Sequence, residues 1–343
     1  MSDEVRKTFS KDNMVIFPTE SFLNNKILCY DINYSSGKDI LLINNDIEDV
    51  IGNIPKNTIN LIISSPPYNI GKPYEKKKKF NEYLEWNKCI INKLIECLSD
   101  KGSLCWEIGN YVKDGEVFPL DYYFYEIFKE FNLKLRNRII WNYGHGYHAS
   151  RKFSGRYEIL LWFTKTDDYI FNLDNVREPQ KYPGKIAYKG KKKGKPSGNP
   201  KGKNPSDVWS IIQNDWDREI WYIPNVKARH VEKTIHTCQF PIALIERLIL
   251  ALTNKNDIVF DPFVGVGSSM IAAIKNNRNV IGVDREKIYT DIAFKRINDY
   301  FKGTLKIRPI EKPIWVPNGN EKVAKVPEEW KNKPLWKNIN DIL

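Results

Sequence analysis

Residues 257–284 read DIVFDPFVGVGSSMIAAIKNNRNVIGVD, and the fold is decided there. An apolar, β-branched run, Asp257–Asp261, enters a turn containing Gly265 and Gly267. A helical pattern follows over Ser268–Asn276, and a second strand pattern, Asn279–Asp284, ends on an acid. This is a complete β-loop-α-β unit, the building block of a parallel sheet. Gly265 and Gly267 allow backbone to approach a ligand where a Cβ would clash. The helix start beyond them presents free N–H groups and a positive dipole end, which suit a carboxylate. Asp284 lies about twenty residues past the first glycine, where an acid holds ribose hydroxyls. Asp261 closes the preceding strand. A G-x-G pair alone is a weak signal, and a tight structural turn is the plain alternative. The acid at the expected distance strengthens the binding reading. The third glycine of the dinucleotide fingerprint is missing, which counts against NAD and an oxidoreductase. A ligand with a ribose, a charged amino-acid end and no pyrophosphate fits better, and S-adenosylmethionine (SAM) is such a ligand.

Working upstream, Phe240–Leu252 predicts a helix that Pro241 opens. Further back, strand patterns at 39–46, Thr58–Ser64, Gly102–Ile108, Leu135–Trp141 and Glu158–Thr164 alternate with helical spacing at Ile47–Ile54, Tyr83–Leu98 and Leu120–Phe131. The expected fold is α/β: a doubly wound, mainly parallel, Rossmann-like sheet with helices on both faces. Residues 172–231 interrupt the pattern. Between Lys181 and Lys203 the chain carries nine lysines and no acid, which predicts a flexible, solvated insert. A plain linker is its bland reading. The basic run 72–79 is likewise expected to be mobile. The predicted organisation is an N-terminal arm (1–38), a first catalytic half (39–171), the basic insert (172–231), a cofactor half (232–302) and a tail (303–343) carrying Trp315, Trp330 and Trp336.

The chain of 343 residues is 41% hydrophobic and 13% aromatic, enough for a large buried core. Lys and Arg outnumber Asp and Glu by 54 to 42, a formal charge of +12, which suits a polyanion such as nucleic acid. Five scattered cysteines (Cys29, Cys89, Cys97, Cys105, Cys238) without C-x-x-C spacing read as reduced thiols. The first residues lack an apolar signal segment and no apolar run approaches ~20 residues, so a cytoplasmic protein without a membrane contact is expected. The four histidines (His145, His148, His230, His236) are too dispersed for a metal site.

The second candidate site is Ser65-Pro66-Pro67-Tyr68, at the end of the isoleucine-rich strand 58–64. Strand carboxyl ends are where open α/β sheets bind ligands. Two prolines end the strand and stiffen the turn. Such a corner presents the Ser65 hydroxyl, the Pro66 carbonyl and the Tyr68 ring to one target. A heterocyclic amine needs that arrangement. Its lone pair is delocalised into the ring, and accepting its N–H hydrogens favours the pyramidal nitrogen of the transition state. As an isolated tetrapeptide, SPPY is more often a proline turn.

Taken together, these segments resemble the amino-directed DNA methyltransferases, whose catalytic motif reads D/N/S-P-P-Y/F/W and whose cofactor motif reads F-x-G-x-G, here Phe263–Gly267. The order of the motifs, with a basic insert between them, is similar to the β class. Asn45-Asp46 resembles the strand end that contacts the SAM adenine, and the stretch 236–241 (HTCQFP) resembles the segment lining the methionine side. The resemblance covers roughly residues 39–300. It implies methyl transfer from SAM to a base flipped out of the duplex, with catalysis by Ser65, Pro66, Pro67 and Tyr68. It implies cofactor contacts from Asp46, His236, Gln239, Phe240, Asp261, Phe263, Gly265, Gly267, Ser268, Ser269 and Asp284. The insert becomes the target-recognition region, with phosphate contacts expected from Lys72, Arg151, Lys152, Arg156, Lys185, Lys189, Lys191, Lys192, Lys193 and Lys195. Base readers are sought among Asn199, Asn204, Asp207 and Gln213.

Serine in the first motif position is associated with N4-cytosine and aspartate with N6-adenine. Cytosine is therefore the preferred target, with adenine the alternative. The sequence departs from common relatives at FVGVGSS in place of FAGSGTT, at Thr237 and at Asp284. No cysteine follows a proline, so a covalent C5-cytosine mechanism is not expected. An RNA or protein-amide methyltransferase and a non-catalytic SAM-binding sensor are the remaining alternatives. Double-stranded DNA is the expected partner; a cognate restriction endonuclease, and either a monomer or a homodimer, are compatible with the resemblance. No metal is expected.

Overall fold

The computed structural model describes residues 28–31, 40–72, 75–143, 148–180, 184–210, 223–227, 230–309 and 312. Its elements lie in the first of two compact units, Met1–Glu311; the second is Lys312–Leu343. Most of the expected N-terminal arm and tail, including Trp315, Trp330 and Trp336, as well as His145 and Gln213, fall outside the described residues.

Eleven strands occur among the described residues: β1 (Leu28–Asp31), β2 (Ile40–Asn44), β3 (Ile59–Ser64), β4 (Leu98–Ile108), β5 (Asn110–Lys113), β6 (Glu116–Pro119), β7 (Lys134–Asn142), β8 (Tyr157–Thr164), β9 (Val208–Ser210), β10 (Ile258–Asp261) and β11 (Asn279–Asp284). Nine form one sheet in the order β1-β2-β11-β10-β3-β4-β8-β7-β9. The run β2-β11-β10-β3-β4 is parallel throughout, while β1, β8 and β7 join antiparallel. The helices are α1 (Ile47–Val50), α2 (Phe80–Cys97), α3 (Leu120–Glu130), α4 (Ile242–Leu252), α5 (Ser268–Lys275) and α6 (Lys287–Phe301).

Alternation along the strands makes two cores. Leu41, Ile43, Ile62, Leu104, Trp106, Leu161 and Phe163 point to one face, beneath α1, α2 and α3. Ile40, Leu42, Leu61, Ile63, Cys105, Leu160 and Trp162 point to the other, beneath α4, α5 and α6. Strands buried on both faces read as continuous apolar runs, which is why the sequence shows them without polar alternation. The doubly wound expectation therefore holds.

Four features differ from the sequence reading. Asp114 and Gly115, at φ 51° and 84°, turn β5 into β6 as a separate hairpin. An Asp-Gly turn between β-rich runs is a recognised signal for this geometry. Helix α6 occupies Lys287–Phe301, a stretch for which the sequence reading gives no element. Described residues around the basic segment after Ser65–Tyr68 are hydrogen-bonded: the Glu75 carboxylate accepts from the Asn69 and Lys72 amides at 2.8 and 2.9 Å. Asn69, at φ 60°, exchanges two further hydrogen bonds with the Lys78 backbone.

The insert is also only partly solvated. Residues 185–195 are largely exposed around a hydrogen-bonded turn. Its flanks enter the core, with β9 pairing parallel to β7. Glu178 is buried against Arg247 of α4 at 2.6 Å. An apolar environment forces such charges to pair, so this contact ties the insert to the cofactor half.

Candidate active site

Strands β3 and β10 are neighbours and parallel, so their carboxyl ends open at the same rim. The corner Ser65–Tyr68 continues β3, and the glycine turn 262–267 continues β10. One buried carboxylate joins them. Asp261 Oδ1 accepts from the Ser64 hydroxyl at 2.7 Å and the Phe263 amide at 3.1 Å, and Oδ2 accepts from the Ser269 hydroxyl. Burial pushes this carboxyl up to about 6, against those hydrogen bonds. Asp261 and Ser269 therefore stand behind the wall of the site and fix the two corners relative to each other.

In front of them lies a cleft of about 860 Å³ measured to its open mouth. Asp46, His236, Gln239, Phe240, Phe263, Gly265, Ser268 and Asp284, all anticipated from sequence, line it together with Ser65–Tyr68. Gly267, like Asp261 and Ser269, does not. Gly265 has φ 50° and a Cβ there would stand 3.3 Å from His236 Nε2. Gly267 has φ 79°, and a Cβ there would meet Ala293 of α6 at 3.0 Å. The first glycine serves the cleft surface and the second serves helix packing. Asp284 accepts from the Gly265 and Glu286 amides at 2.9 and 2.8 Å, and burial raises its pKa to about 6. Asp46 caps α1 through Glu48 N at 3.1 Å. The Gln239 amide oxygen accepts from Thr234 and its amide nitrogen donates to Glu232 O at 2.8 Å, so this side chain pins its own loop. Burial lowers the His236 pKa to about 4, leaving a neutral ring that packs edge-on to Tyr289 with centroids 4.5 Å apart.

Cys238, within the anticipated stretch 236–241, also lines the cleft, as do Trp86, Arg285, Glu286 and Tyr289, which were not anticipated. Trp86 lies on α2, far from either motif in sequence, with its ring 5.9 Å from Phe263. No local pattern could have found it.

A second cavity, about 600 Å³ with its opening, shares Ser65, Tyr68, Cys238, Gln239 and Phe240 with the first. Its remaining walls include Trp141, Tyr143, Glu107, Glu158 and Lys227. Ser65 Oγ donates to Tyr68 Oη at 2.9 Å, and burial raises the Tyr68 phenol well above its usual range. Burial also raises Glu107, and burial together with the neighbouring Glu107 raises Glu158 further. Glu107 ends an apolar strand, Trp106-Glu107-Ile108, and only the pairing of β4 with β8 sets it beside Glu158 in this wall.

The loop 143–156 joins Tyr143 to the start of β8, whose Glu158 faces this cavity. It carries Arg151 and Lys152, both exposed, and Arg156, which lies 3.3 Å from His148 Nδ1. Lys185, Lys189, Lys191, Lys192, Lys193 and Lys195 are exposed on the insert turn, and Lys72 is half-buried beside Glu75. Among the described residues no cluster of three or more potential metal ligands occurs, and no helix is long and apolar enough to cross a membrane.

The family described as DNA methylase, of the N6/N4 type, matches residues 59–295. The chain is 44% identical over 253 residues to the Type II methyltransferase M.BglII of Bacillus subtilis, across 74% of this chain and 67% of that protein. It is 34% identical over 269 residues to the Type II methyltransferase M.ScaI of Streptomyces caespitosus, covering 77% and 83%. Two solved structures share the fold. TTHA0409 of Thermus thermophilus, complexed with S-adenosyl-L-methionine, has a TM-score of 0.52 at 20% identity, covering 76% of this chain and 95% of that one. The PvuII DNA methyltransferase, described as cytosine-N4-specific, has a TM-score of 0.55 at 17% identity, covering 77% and 92%. With its two motifs meeting at one rim and the family matched across most of its length, the chain belongs to the N6/N4 DNA methylases, the amino-directed DNA methyltransferases.

Proposed function

We propose that this protein transfers a methyl group from SAM to N4 of a cytosine flipped out of double-stranded DNA, as the modification enzyme of a restriction-modification system. The observation that carries the reading is the shared wall: Ser65 and Tyr68 border both cavities, so donor and acceptor sites open onto one corner. The first cleft suits SAM by its donor set. Phe263, Trp86 and Tyr289 offer aromatic faces for adenine, Asp284 and Glu286 offer oxygens for ribose hydroxyls, and the N-terminal end of α5 at Ser268 suits a carboxylate.

Bound SAM supplies a methyl group activated by a positively charged sulfur. The protein's own contribution is positional. Ser65 Oγ and the Pro66 carbonyl accept the N–H groups of the target amine, holding its lone pair toward the first cleft. Tyr68 stacks on the base, a contact worth ~1–3 kcal/mol that offsets part of the flipping cost. The exposed lysines of the insert and the 143–156 loop would meet phosphates, with affinity that falls as salt rises. Cytosine is preferred because serine opens the catalytic motif.

The test is to express the gene in a host lacking DNA methylation, digest its DNA to nucleosides and separate them by mass spectrometry. N4-methylcytosine is expected. N6-methyladenine would move the assignment to the other base, and unmodified DNA would overturn the enzyme reading. Sequencing the same DNA for modified positions would give the recognition site.

A further inference from the structure

The second cavity contains a group that neither motif explains. Glu107 is 3% exposed, lines the cavity, and its Oε1 is buried without a hydrogen-bond partner. A buried acceptor left unmade is costly, and in a binding cavity it marks the place of an incoming donor. Glu158, on the adjacent strand β8, faces the same carboxylate and lines the same cavity. Ser65 and Tyr68, from the catalytic corner, lie beside it too. A donor entering this space beside Ser65 is the N–H of the target amine.

Resting on the reading of this cavity as the base pocket, we propose that Glu107 is a further catalytic residue. Its Oε1 shares with Ser65 Oγ one N–H of the target amine, the other going to the Pro66 carbonyl, and then takes the proton that the amine loses, while Glu158 carries the single proton shared by the pair. The step balances. The nitrogen lone pair forms the N–CH3 bond, the sulfur–carbon bond breaks with its electrons returning to sulfur, and the surplus proton on nitrogen passes to Glu107. Ser65 then orients the amine and Glu107 clears the charge.

Burial raises both carboxyls, and two acids side by side cannot both ionise cheaply. The other ionisable groups around Glu107 are Tyr68, Tyr143, Cys238, Lys227 and Asp261, with Arg156 acting on Tyr143. Only Lys227 and Arg156 among them are cationic, so burial and mutual repulsion favour the singly protonated pair over the doubly ionised one, and a second proton binds as pH falls. The methylation rate should therefore rise with pH along a limb lying above the ordinary glutamate range, then level.

The experiment is single-turnover transfer of tritiated methyl from SAM to unmethylated bacterial genomic DNA, with SAM affinity measured separately by calorimetry. Glu107→Gln keeps the shape but cannot take a proton. It should lower the rate by ~100-fold or more, lose the acid limb and leave SAM affinity unchanged. Glu107→Asp should recover part of the rate. A Glu107→Gln enzyme as fast as wild type would overturn the role. If that variant does not fold, a wild-type rate that is flat between about pH 5 and about pH 8 would do the same. Wild-type protein that labels no DNA would sink the base-pocket reading and this role together, whereas a labelling wild type with an unaffected Glu107→Gln sinks this role alone.

Discussion

At the scale of single residues, the site works by assigning different tasks to neighbours in sequence. Ser64 turns inward to Asp261, whereas Ser65 turns outward to both cavities. Ser65→Ala should cut the single-turnover rate about 100-fold, because one positioned hydrogen bond to the reacting amine is lost. SAM affinity should hold, and calorimetry beside the rate assay checks both. His236 gives a pH prediction with a definite sign. Its folded pKa, about 4, lies below the ordinary 6.5, so the unfolded chain binds the proton more readily between those values. The neutral ring's contribution is complete above about 6.5 and is lost as pH falls toward about 4. Asp261 and Asp284, raised to about 6, act in the opposite direction, so a wild-type curve alone mixes the two effects. The difference in unfolding free energy between wild type and His236→Gln isolates the histidine. It should shift by on the order of 2 kcal/mol across that window, measured by urea denaturation.

At the scale of elements, parallel pairing of β3 and β10 does what neither motif could do alone, since it delivers two corners to one rim. The basic insert divides in the same practical way. Lys191, Lys192 and Lys193 crown an exposed turn closed by backbone bonds such as Gly194 N to Ala187 O at 2.9 Å. Replacing all three by alanine should leave the melting temperature almost unchanged. It should weaken DNA binding and reduce the slope of log affinity against log salt by up to about 3, if each lysine meets a phosphate. Fluorescence anisotropy with duplex DNA at several salt concentrations reads this directly. The lysine pattern was legible in sequence because a run without apolar residues cannot join a core. The short strand β9 was not, because three residues, Val208–Ser210, carry too little periodicity to declare a strand.

At the scale of the whole molecule, the formal charge of +12 favours a polyanion but does not say where it docks. Position depends on contacts between distant segments, of which Glu178–Arg247 is the clearest. Both side chains are nearly inaccessible, and the Arg247 guanidinium also sits 4.5 Å over Trp209 of β9. Glu178→Ala would remove the buried carboxylate that the Arg247 guanidinium pairs with. A loss of about 3–5 kcal/mol is expected, visible as a lowered denaturation midpoint, whereas alanine at exposed Lys101 should change little although it too is ion-paired.

By itself the sequence determined the alternating α/β pattern, the two motifs and their order, and most of the cleft lining from Asp46 through Asp284. It could do so because strand burial, helix periodicity and glycine or proline turns are local constraints that leave a local record. The tertiary structure alone decided that Asp261 braces the corners from behind, that Gly267 serves α6 rather than the cleft, and that Trp86, Glu107 and Glu158 stand in the walls. Those facts depend on which strands become neighbours in the sheet and on which side chains lose their water there. Pairing at long range and desolvation belong to the folded whole, and no short window of residues encodes them.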